Sequence, residues 1–189
     1  MQIRRARVEE YAAIGELTDR SYVDGGFVSA GSAYRAELVD AAGRAEETEL
    51  LVAVDGDGTL LGSVAFVPPG SAFGEVTDPI DAGFRMLAVS RAARRRGVGR
   101  ALVLACVERA RALGCVRIRL STQDDMTDAH RLYESLRFVR TPERDWTPMP
   151  GVLLLTYALD LADAARPADA AEHPSGAPAD QPADEGAAR

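Results

Sequence analysis

The segment from Phe84 to Leu113 constrains the fold most, because three local patterns follow one another there without interruption. Phe84-Arg-Met-Leu-Ala-Val89 is an apolar run that is typical of a buried strand. A basic turn with two glycines comes next, and hydrophobic residues then recur at helical spacing from Arg100 onward. Gly114 follows as a natural helix stop. The segment therefore predicts a strand, a tight turn and a helix in direct succession.

The turn in this segment is suited to binding a phosphate group. The first amides of a helix have no partner within the helix, and the helix dipole places partial positive charge beside them. Gly97 and Gly99 let the backbone come close to an anion because they carry no Cβ atom. Arg94, Arg95 and Arg96 add full charges and forked donors. The sequence has neither the Gly-Lys-Ser/Thr ending of a P-loop nor the three-glycine dinucleotide pattern, so the turn belongs to another kind of site.

The rest of residues 1–160 predicts one α/β domain. The patterns predict, in chain order, a strand at Gln2–Ala6, helices at Glu9–Tyr22 and Tyr34–Ala42, a hairpin of Leu50–Val54 and Thr59–Val67, the segment described above, a strand at Val116–Thr122, a helix at Asp124–Leu136, and strands at Phe138–Val139 and Val152–Leu159. Gly43 is expected to close the second helix. Asp55-Gly-Asp-Gly58 is a strong signal for the hairpin turn. Thr141–Gly151 is predicted to be a Pro-containing connection.

Residues 161–189 are expected to be a disordered acidic tail, rich in alanine and proline. The tail has too few large apolar residues to pack against the domain. From Asp160 onward, seven acidic residues and two arginines carry −5 of the net charge of −7. The domain itself is therefore nearly neutral, which does not fit a general nucleic-acid binder.

Composition also indicates the source and the compartment. No run in the sequence is long and apolar enough to cross a membrane, and Met1-Gln-Ile-Arg-Arg5 does not lead into a signal-peptide core. We therefore expect a cytoplasmic protein without a membrane partner. All 22 basic residues are arginine, and neither lysine nor asparagine occurs, which indicates a GC-rich bacterial genome. Cys106 and Cys115 are interpreted as buried small hydrophobes. No metal site is predicted, since the calcium-like Asp55-Gly-Asp-Gly58 has Phe66 at the twelfth position.

Two motifs resemble the GNAT superfamily of acyl-CoA-dependent N-acyltransferases. The first is Arg94-Arg-Arg-Gly-Val-Gly99, preceded by Leu87-Ala-Val89. The second is Ala129-His-Arg-Leu-Tyr133-Glu-Ser-Leu-Arg-Phe138, which is similar to the family's Ala-x-x-Leu-Tyr-x-x-x-Gly-Phe helix. The resemblance implies an α/β (α+β) fold, with a central mixed and mostly antiparallel twisted sheet of roughly six to seven strands flanked by about four helices. The chain departs from the family at Met126, where Asn is frequent, and at Arg137, where Gly is usual.

The resemblance also implies acetyl-CoA as co-substrate and assigns roles to individual residues. Leu87 and Val89, with Ala88 between them, would offer backbone groups to the pantetheine arm on a strand splayed from its neighbour. An amide near Ala88 or Val89 would polarise the thioester carbonyl. The pyrophosphate would be held by Arg94, Arg95, Arg96, Gly97, Val98 and Gly99. Tyr133 is the candidate general acid, because a phenol with a pKa of about 10 keeps its proton at neutral pH.

The predicted activity is acetyl transfer from acetyl-CoA to a primary amine of a small molecule, an amino acid or a peptide N-terminus, by direct attack. The sequence leaves two alternatives, namely a non-catalytic acyl-CoA-binding module and a nucleic-acid binder that uses the arginines of the turn. Glu75, Asp78 and Asp81 are the candidate bases, with water as the other choice. Acids in the connecting loops favour a cationic acceptor, and Trp146 fits either an acceptor pocket or a plug at the sheet end. The chain could act alone or as a homodimer.

Overall fold

The computed structural model describes residues 1–71 and 78–161, which form one sheet with helices on both faces. The strands are β1 (Gln2–Arg5), β2 (Glu49–Val54), β3 (Leu60–Val67), β4 (Asp81–Val89), β5 (Arg117–Gln123), β6 (Val139–Arg140), β7 (Trp146–Met149) and β8 (Val152–Asp160). The α-helices are α1 (Tyr11–Asp24), α2 (Arg35–Val39), α3 (Ala41–Glu47), α4 (Val98–Ala112) and α5 (Thr127–Ser135). Short 3-10 helices lie at Val8–Glu10, Arg91–Ala93 and Pro142–Arg144.

The sheet has the strand order β1-β2-β3-β4-β5-β8-β6, and β7 pairs with the beginning of β8. Neighbouring strands are antiparallel except for β4 and β5, which are parallel. That parallel pair extends only over Asp81–Gly83, opposite Arg117–Arg119. Beyond Gly83 the two strands share no further pairing, so the sheet splays open between them.

Side-chain alternation along β2 divides the core into two layers. Leu51 packs in a cluster with α4 side chains such as Leu102, on one face of the sheet. Leu50 and Val52 pack with Ile14 of α1 on the other face. Since neighbouring residues of a strand point to opposite faces, β2 is buried on both sides.

The predicted fold class is confirmed, and most predicted elements lie within a few residues of their observed positions. The sheet has eight strands in the described residues, because β7 forms within the predicted connection Thr141–Gly151. The helix predicted at Tyr34–Ala42 is wrong in its extent, since Asp40 separates α2 from α3. The Asp40 side chain caps α3 by accepting the Gly43 amide at 2.8 Å, so Gly43 lies in the first turn of a helix instead of ending one.

The domain includes one residue that the sequence assigns to the tail. Leu161 is only 7% exposed within the main core, and its amide donates to the Val116 carbonyl at 2.9 Å. Cys106 and Cys115 are buried, as predicted. The predicted disorder of the remaining tail, and Glu75, lie outside the described residues. Within the part of the chain that the structure describes, no helix is long and apolar enough to span a membrane.

Candidate active site

A β-bulge in β4 shapes the cleft that opens between β4 and β5. Ser63 pairs with Ala88 and Ala65 pairs with Arg85, so that Met86 and Leu87 together oppose Val64. Met86 takes a left-handed backbone conformation with a φ of +53°, which is uncommon for a residue other than glycine. The bulge lies three residues beyond the last pair with β5. It therefore redirects β4 at the position where the strand loses its neighbour.

Beyond the bulge, β4 presents an unpaired edge to this cleft. The Ser90 amide donates to the Leu61 carbonyl of β3 at 2.9 Å. Backbone groups of successive residues in a strand point to alternate sides, so those of Ala88 also point toward β3, whereas those of Val89 point away from it. Ala88 is buried, and the side chains of Leu87 and Val89 pack against the core cluster that contains α4. An extended ligand with amide groups could pair with this edge as a peptide adds to a sheet.

The turn before α4 lies beside this end of β4, since a Cβ atom on Gly99 would be 3.7 Å from the Val89 side chain and 4.0 Å from that of Leu87. Gly97 is the N-cap of α4 with a φ of +78°, and Arg95 has a φ of +61°. In the described part of the chain, the amides of Arg95, Gly97, Val98, Gly99 and Arg100 donate to no backbone acceptor. These are the free donors of a helix start, where an anion binds favourably.

The side chains of the turn surround these amides without filling the cleft. The side chains of Arg94, Arg95 and Arg96 are exposed. The Arg96 guanidinium lies 3.6 Å from the Asp55 carboxylate of the β2–β3 turn, which offsets part of its charge. Val98 is buried under the turn. A Cβ atom on Gly99 would meet the Leu132 side chain of α5 at 3.4 Å, so Gly99 lies at the wall between α4 and α5. The structure thus brings the predicted phosphate-binding residues together with the open edge of β4.

Tyr133 lies on α5 within an aromatic cluster. Its ring centroid is 5.8 Å from that of Phe84, 6.0 Å from that of Phe138 and 5.9 Å from that of Tyr157. Burial raises the pKa of the Tyr133 phenol well above its ordinary value, and the nearby Tyr22 phenol raises it further.

Two of the three candidate bases are engaged elsewhere. Asp81 is 1% exposed, and its Oδ2 accepts a hydrogen bond from Arg119 Nε at 2.5 Å in the paired part of β4. The Asp78 carboxylate accepts the Ile80 amide at 3.2 Å and thereby stabilises the turn before β4. His130 lies with Nε2 at 2.9 Å from the Gln123 carbonyl oxygen.

A cavity of about 330 Å³ adjoins the cleft. Phe84 and Tyr157, which pack against Tyr133, form part of its lining. The polar residues of the lining belong to β4, β5, β8 and the connection between β6 and β7. They are Arg85, Arg119, Ser121, Thr156, Thr141 and Arg144. Trp146 also lines the cavity, and its Nε1 donates to Ser121 Oγ at 3.4 Å. The pocket interpretation of Trp146 therefore fits the structure better than a plug at the sheet end.

Sequence patterns did not identify the arginines of this cavity. Val116, Ile118 and Leu120 alternate along β5, and Ile118 and Leu120 pack in the core cluster that contains α4. The same alternation directs Arg119 to the opposite face, which is a signal that could have revealed it. Arg144 gives no comparable signal, since it lies in an irregular connection whose position depends on contacts with β8.

Comparison with known proteins identifies the architecture. The sequence matches the Acetyltransferase (GNAT) family over residues 12–138. A GNAT-family acetyltransferase from Staphylococcus aureus superposes with a TM-score of 0.68 at 13% identity, covering 85% of this chain and 98% of its own. A GCN5-related N-acetyltransferase from Kribbella flavida is 27% identical with a TM-score of 0.62, covering 84% and 96%. The Salmonella typhimurium protein yncA, whose structure includes acetyl-CoA, is 20% identical with a TM-score of 0.62, covering 89% and 98%. No curated protein sequence matches the chain.

Proposed function

The chain belongs to the GNAT acetyltransferase family, and we propose that it transfers the acetyl group of acetyl-CoA to a primary amine by direct attack. The acceptor class comprises small molecules, amino acids and peptide N-termini. One observation carries the proposal, namely that the turn with free amides before α4 lies beside the end of β4 that has no pairing with β5. The acetyl-CoA in the yncA structure supports the same choice of co-substrate.

The binding residues in this proposal act mainly through their backbone. Acetyl-CoA supplies an activated thioester, and its pantetheine arm carries amides that suit the unpaired edge at Leu87 and Val89. The free amides of Arg95, Gly97, Val98 and Gly99 bind the pyrophosphate, with charge from the exposed side chains of Arg94 and Arg95. A backbone amide near the bulge in β4 stabilises the negative charge that develops on the carbonyl oxygen.

Tyr133 is the proton donor in this proposal. Its raised pKa keeps the phenol neutral at physiological pH, so the hydroxyl is available as a donor. A hydrogen bond from this hydroxyl strengthens as negative charge develops on the leaving sulfur, and this is the kind of interaction that accelerates a reaction. The amine must attack in its neutral form. Because Asp81 is buried and bonded to Arg119, the proton of the attacking amine leaves through Glu75, Asp78 or water.

A thiol-release assay tests the proposal. The purified full chain is incubated with acetyl-CoA and a panel of amines, amino acids, polyamines and peptides, and the products are identified by mass spectrometry. We expect one acetylated amine for each thiol released. Thiol release without an acetylated amine would indicate hydrolysis, and acetyl-CoA binding without thiol release would indicate a non-catalytic binding module.

A further inference from the structure

Arg119 presents unused hydrogen-bond donors to the cavity beside the cleft. Its side chain is only 12% exposed, and its Nε is bonded to Asp81 at 2.5 Å. Among the described residues, its two terminal nitrogens donate to no acceptor, although Arg119 lines the cavity. A partly buried guanidinium with free terminal donors is well suited to binding planar oxyanions at two points.

Arg144 provides a second positive charge at the same wall. It is exposed, and within residues 1–71 and 78–161 its side chain forms no ion pair or hydrogen bond. Arg119, Thr141 and Arg144 line both this cavity and a neighbouring groove of about 580 Å³. The two arginines therefore lie along one shared boundary, with Arg119 deep and Arg144 near the surface.

The described lining of the cavity is cationic. It contains Arg85, Arg119 and Arg144 and no carboxylate, while Asp81 behind Arg119, and Glu143 and Asp160 in the neighbouring groove, offset part of this charge. An acceptor whose only charged groups are ammonium groups would meet like charges there. A carboxylate on the acceptor would instead form charge-assisted hydrogen bonds with the two arginines.

The dimensions of the cavity suit an amino-acid-sized molecule. Its volume of about 330 Å³ lies at the small end of ligand pockets, and Trp146 supplies an apolar wall. The cavity reaches Phe84 and Arg85, which immediately precede the bulge in β4. A molecule with its carboxylate at Arg119 and Arg144 can therefore direct its amine toward the cleft.

We propose that the acceptor is a small amine that carries a carboxylate, and that Arg119 and Arg144 bind this carboxylate. The proposal rests on the acetyltransferase function proposed above and narrows its substrate class. It makes α-amino acids the expected acceptors, and it excludes polyamines. It also differs from the expectation of a cationic acceptor, which was based on the acidic residues in the connecting loops.

Matched pairs of acceptors test the proposal. The full chain is assayed with acetyl-CoA and each proteinogenic α-amino acid, and then with the carboxamide of the same amino acid, which keeps the amine and removes the negative charge. We expect the best amino acid to exceed its carboxamide in kcat/KM by roughly 10-fold or more, the range expected for a hydrogen bond to a charged group. Arg144→Gln should remove most of this preference by raising KM for the amino acid, while kcat and the carboxamide reaction change little.

Two further variants separate specific from general effects. Arg119→Lys keeps the charge beside Asp81 but loses the forked donors, so it should also raise KM for the amino acid. Arg5→Gln, on β1 at the far edge of the sheet, removes an exposed arginine without touching the cavity and should leave both substrates unaffected. Saturation-transfer NMR with CoA present measures binding of the same pairs without turnover.

Three results distinguish the two proposals. Equal turnover of amino acids and carboxamides, or a clear preference for polyamines, would overturn the carboxylate proposal and leave acetyl transfer intact. Amino acids that bind better than their carboxamides, with the difference lost in Arg144→Gln, would support carboxylate recognition even if no acetylation occurs. Equal binding of both members of each pair would overturn it regardless of turnover.

Discussion

Arg140 and Asp145 form a two-point ion pair, with Nη1–Oδ1 and Nη2–Oδ2 distances of 2.9 and 2.7 Å. Asp145 Oδ1 also accepts the amide of Thr156 on β8 at 2.8 Å. Asp145 is the residue between Arg144 and Trp146, which both line the cavity. The ion pair therefore fixes the β6–β7 connection against β8 and positions the wall where we place acceptor recognition.

Replacing Asp145 with Asn should destabilise the domain at neutral pH more than at acidic pH. The hydrogen bonds from Arg140 lower the pKa of Asp145 to about 2, against an ordinary value of about 3.9. A lowered folded-state pKa stabilises the protein above pH 4, and this contribution is lost as the pH falls toward 2. We expect Asp145→Asn to lose about 1–2 kcal/mol at pH 7, with the difference from wild type shrinking below pH 4.

Urea denaturation across this pH range measures the effect. Glu46→Gln is the control, because Glu46 is exposed and forms no ion pair among the described residues. A loss for Asp145→Asn that stays constant from pH 7 to pH 3 would show that the carboxylate charge is not what stabilises the connection.

Arg137→Gly should stabilise the protein. Arg137 follows α5 with a φ of +67°, and the next amide, of Phe138, donates back to the Tyr133 carbonyl at 3.0 Å. Helix ends of this kind favour glycine, because other residues pay about 1–2 kcal/mol for the left-handed conformation. Part of that gain is offset by the greater freedom of glycine in the unfolded chain, so we expect a net gain of about 0.5–1 kcal/mol.

Thermal denaturation of a matched pair checks this prediction. Arg131→Gly introduces the same change inside α5, where glycine costs about 1 kcal/mol, and should lower Tm. If Arg137→Gly also lowers Tm, the Arg137 side chain stabilises the helix end by a contact that outweighs its backbone strain.

The sequence predicted the elements whose signals are local. The apolar run before Val89, the glycines of the turn and the helical spacing after Arg100 each specify structure within a few residues. The Asp40 cap was overlooked, although its spacing to Gly43 is a local signal too.

The decisive features of the site lack such local signals. The splay between β4 and β5 depends on where pairing stops after Gly83, and a single-strand pattern does not contain that information. No local pattern indicates the bulge either, because Met86 adopts a backbone conformation that is normally expected only of glycine. Arg144 acquires its position through Asp145, Arg140 and β8, which are tertiary contacts.

Gly99→Glu should weaken acetyl-CoA binding while the fold survives. The new side chain would start at the wall formed by Leu132 and Val89, where the first Cβ contact is an ordinary one at 3.4 Å. Its charge would then compete with the pyrophosphate for the amides before α4. We expect a loss in affinity of roughly 10-fold or more by calorimetry, with an unchanged far-UV circular dichroism spectrum.

Gly99→Gln separates charge from size in this experiment. It has the same shape as glutamate without the charge, so its affinity should lie between those of wild type and Gly99→Glu. Unchanged acetyl-CoA affinity in both variants would rule out the turn as the pyrophosphate site.

Tyr133→Phe should impair the chemical step without impairing binding or folding. The ring packs against Phe84, Phe138 and Tyr157, and phenylalanine preserves those contacts. The Tyr133 hydroxyl forms no hydrogen bond among the described residues, so its removal leaves no partner group without a bond. If the hydroxyl protonates the leaving thiolate, its loss should lower the transfer rate by roughly 10²-fold, the scale of general acid catalysis.

The acyl donor and a distant tyrosine provide the tests that distinguish this role. More acidic thiols leave as thiolates without being protonated. With thioesters of such thiols as acyl donors, the rate difference between Tyr133→Phe and wild type should therefore shrink. Tyr11→Phe, at the start of α1, should keep the wild-type rate. Acetyl-CoA affinity should be the same in all three proteins, because the hydroxyl interacts most strongly when charge develops on sulfur. Equal turnover of Tyr133→Phe and wild type, measured where chemistry limits the rate, would assign Tyr133 to the core and leave water as the proton donor.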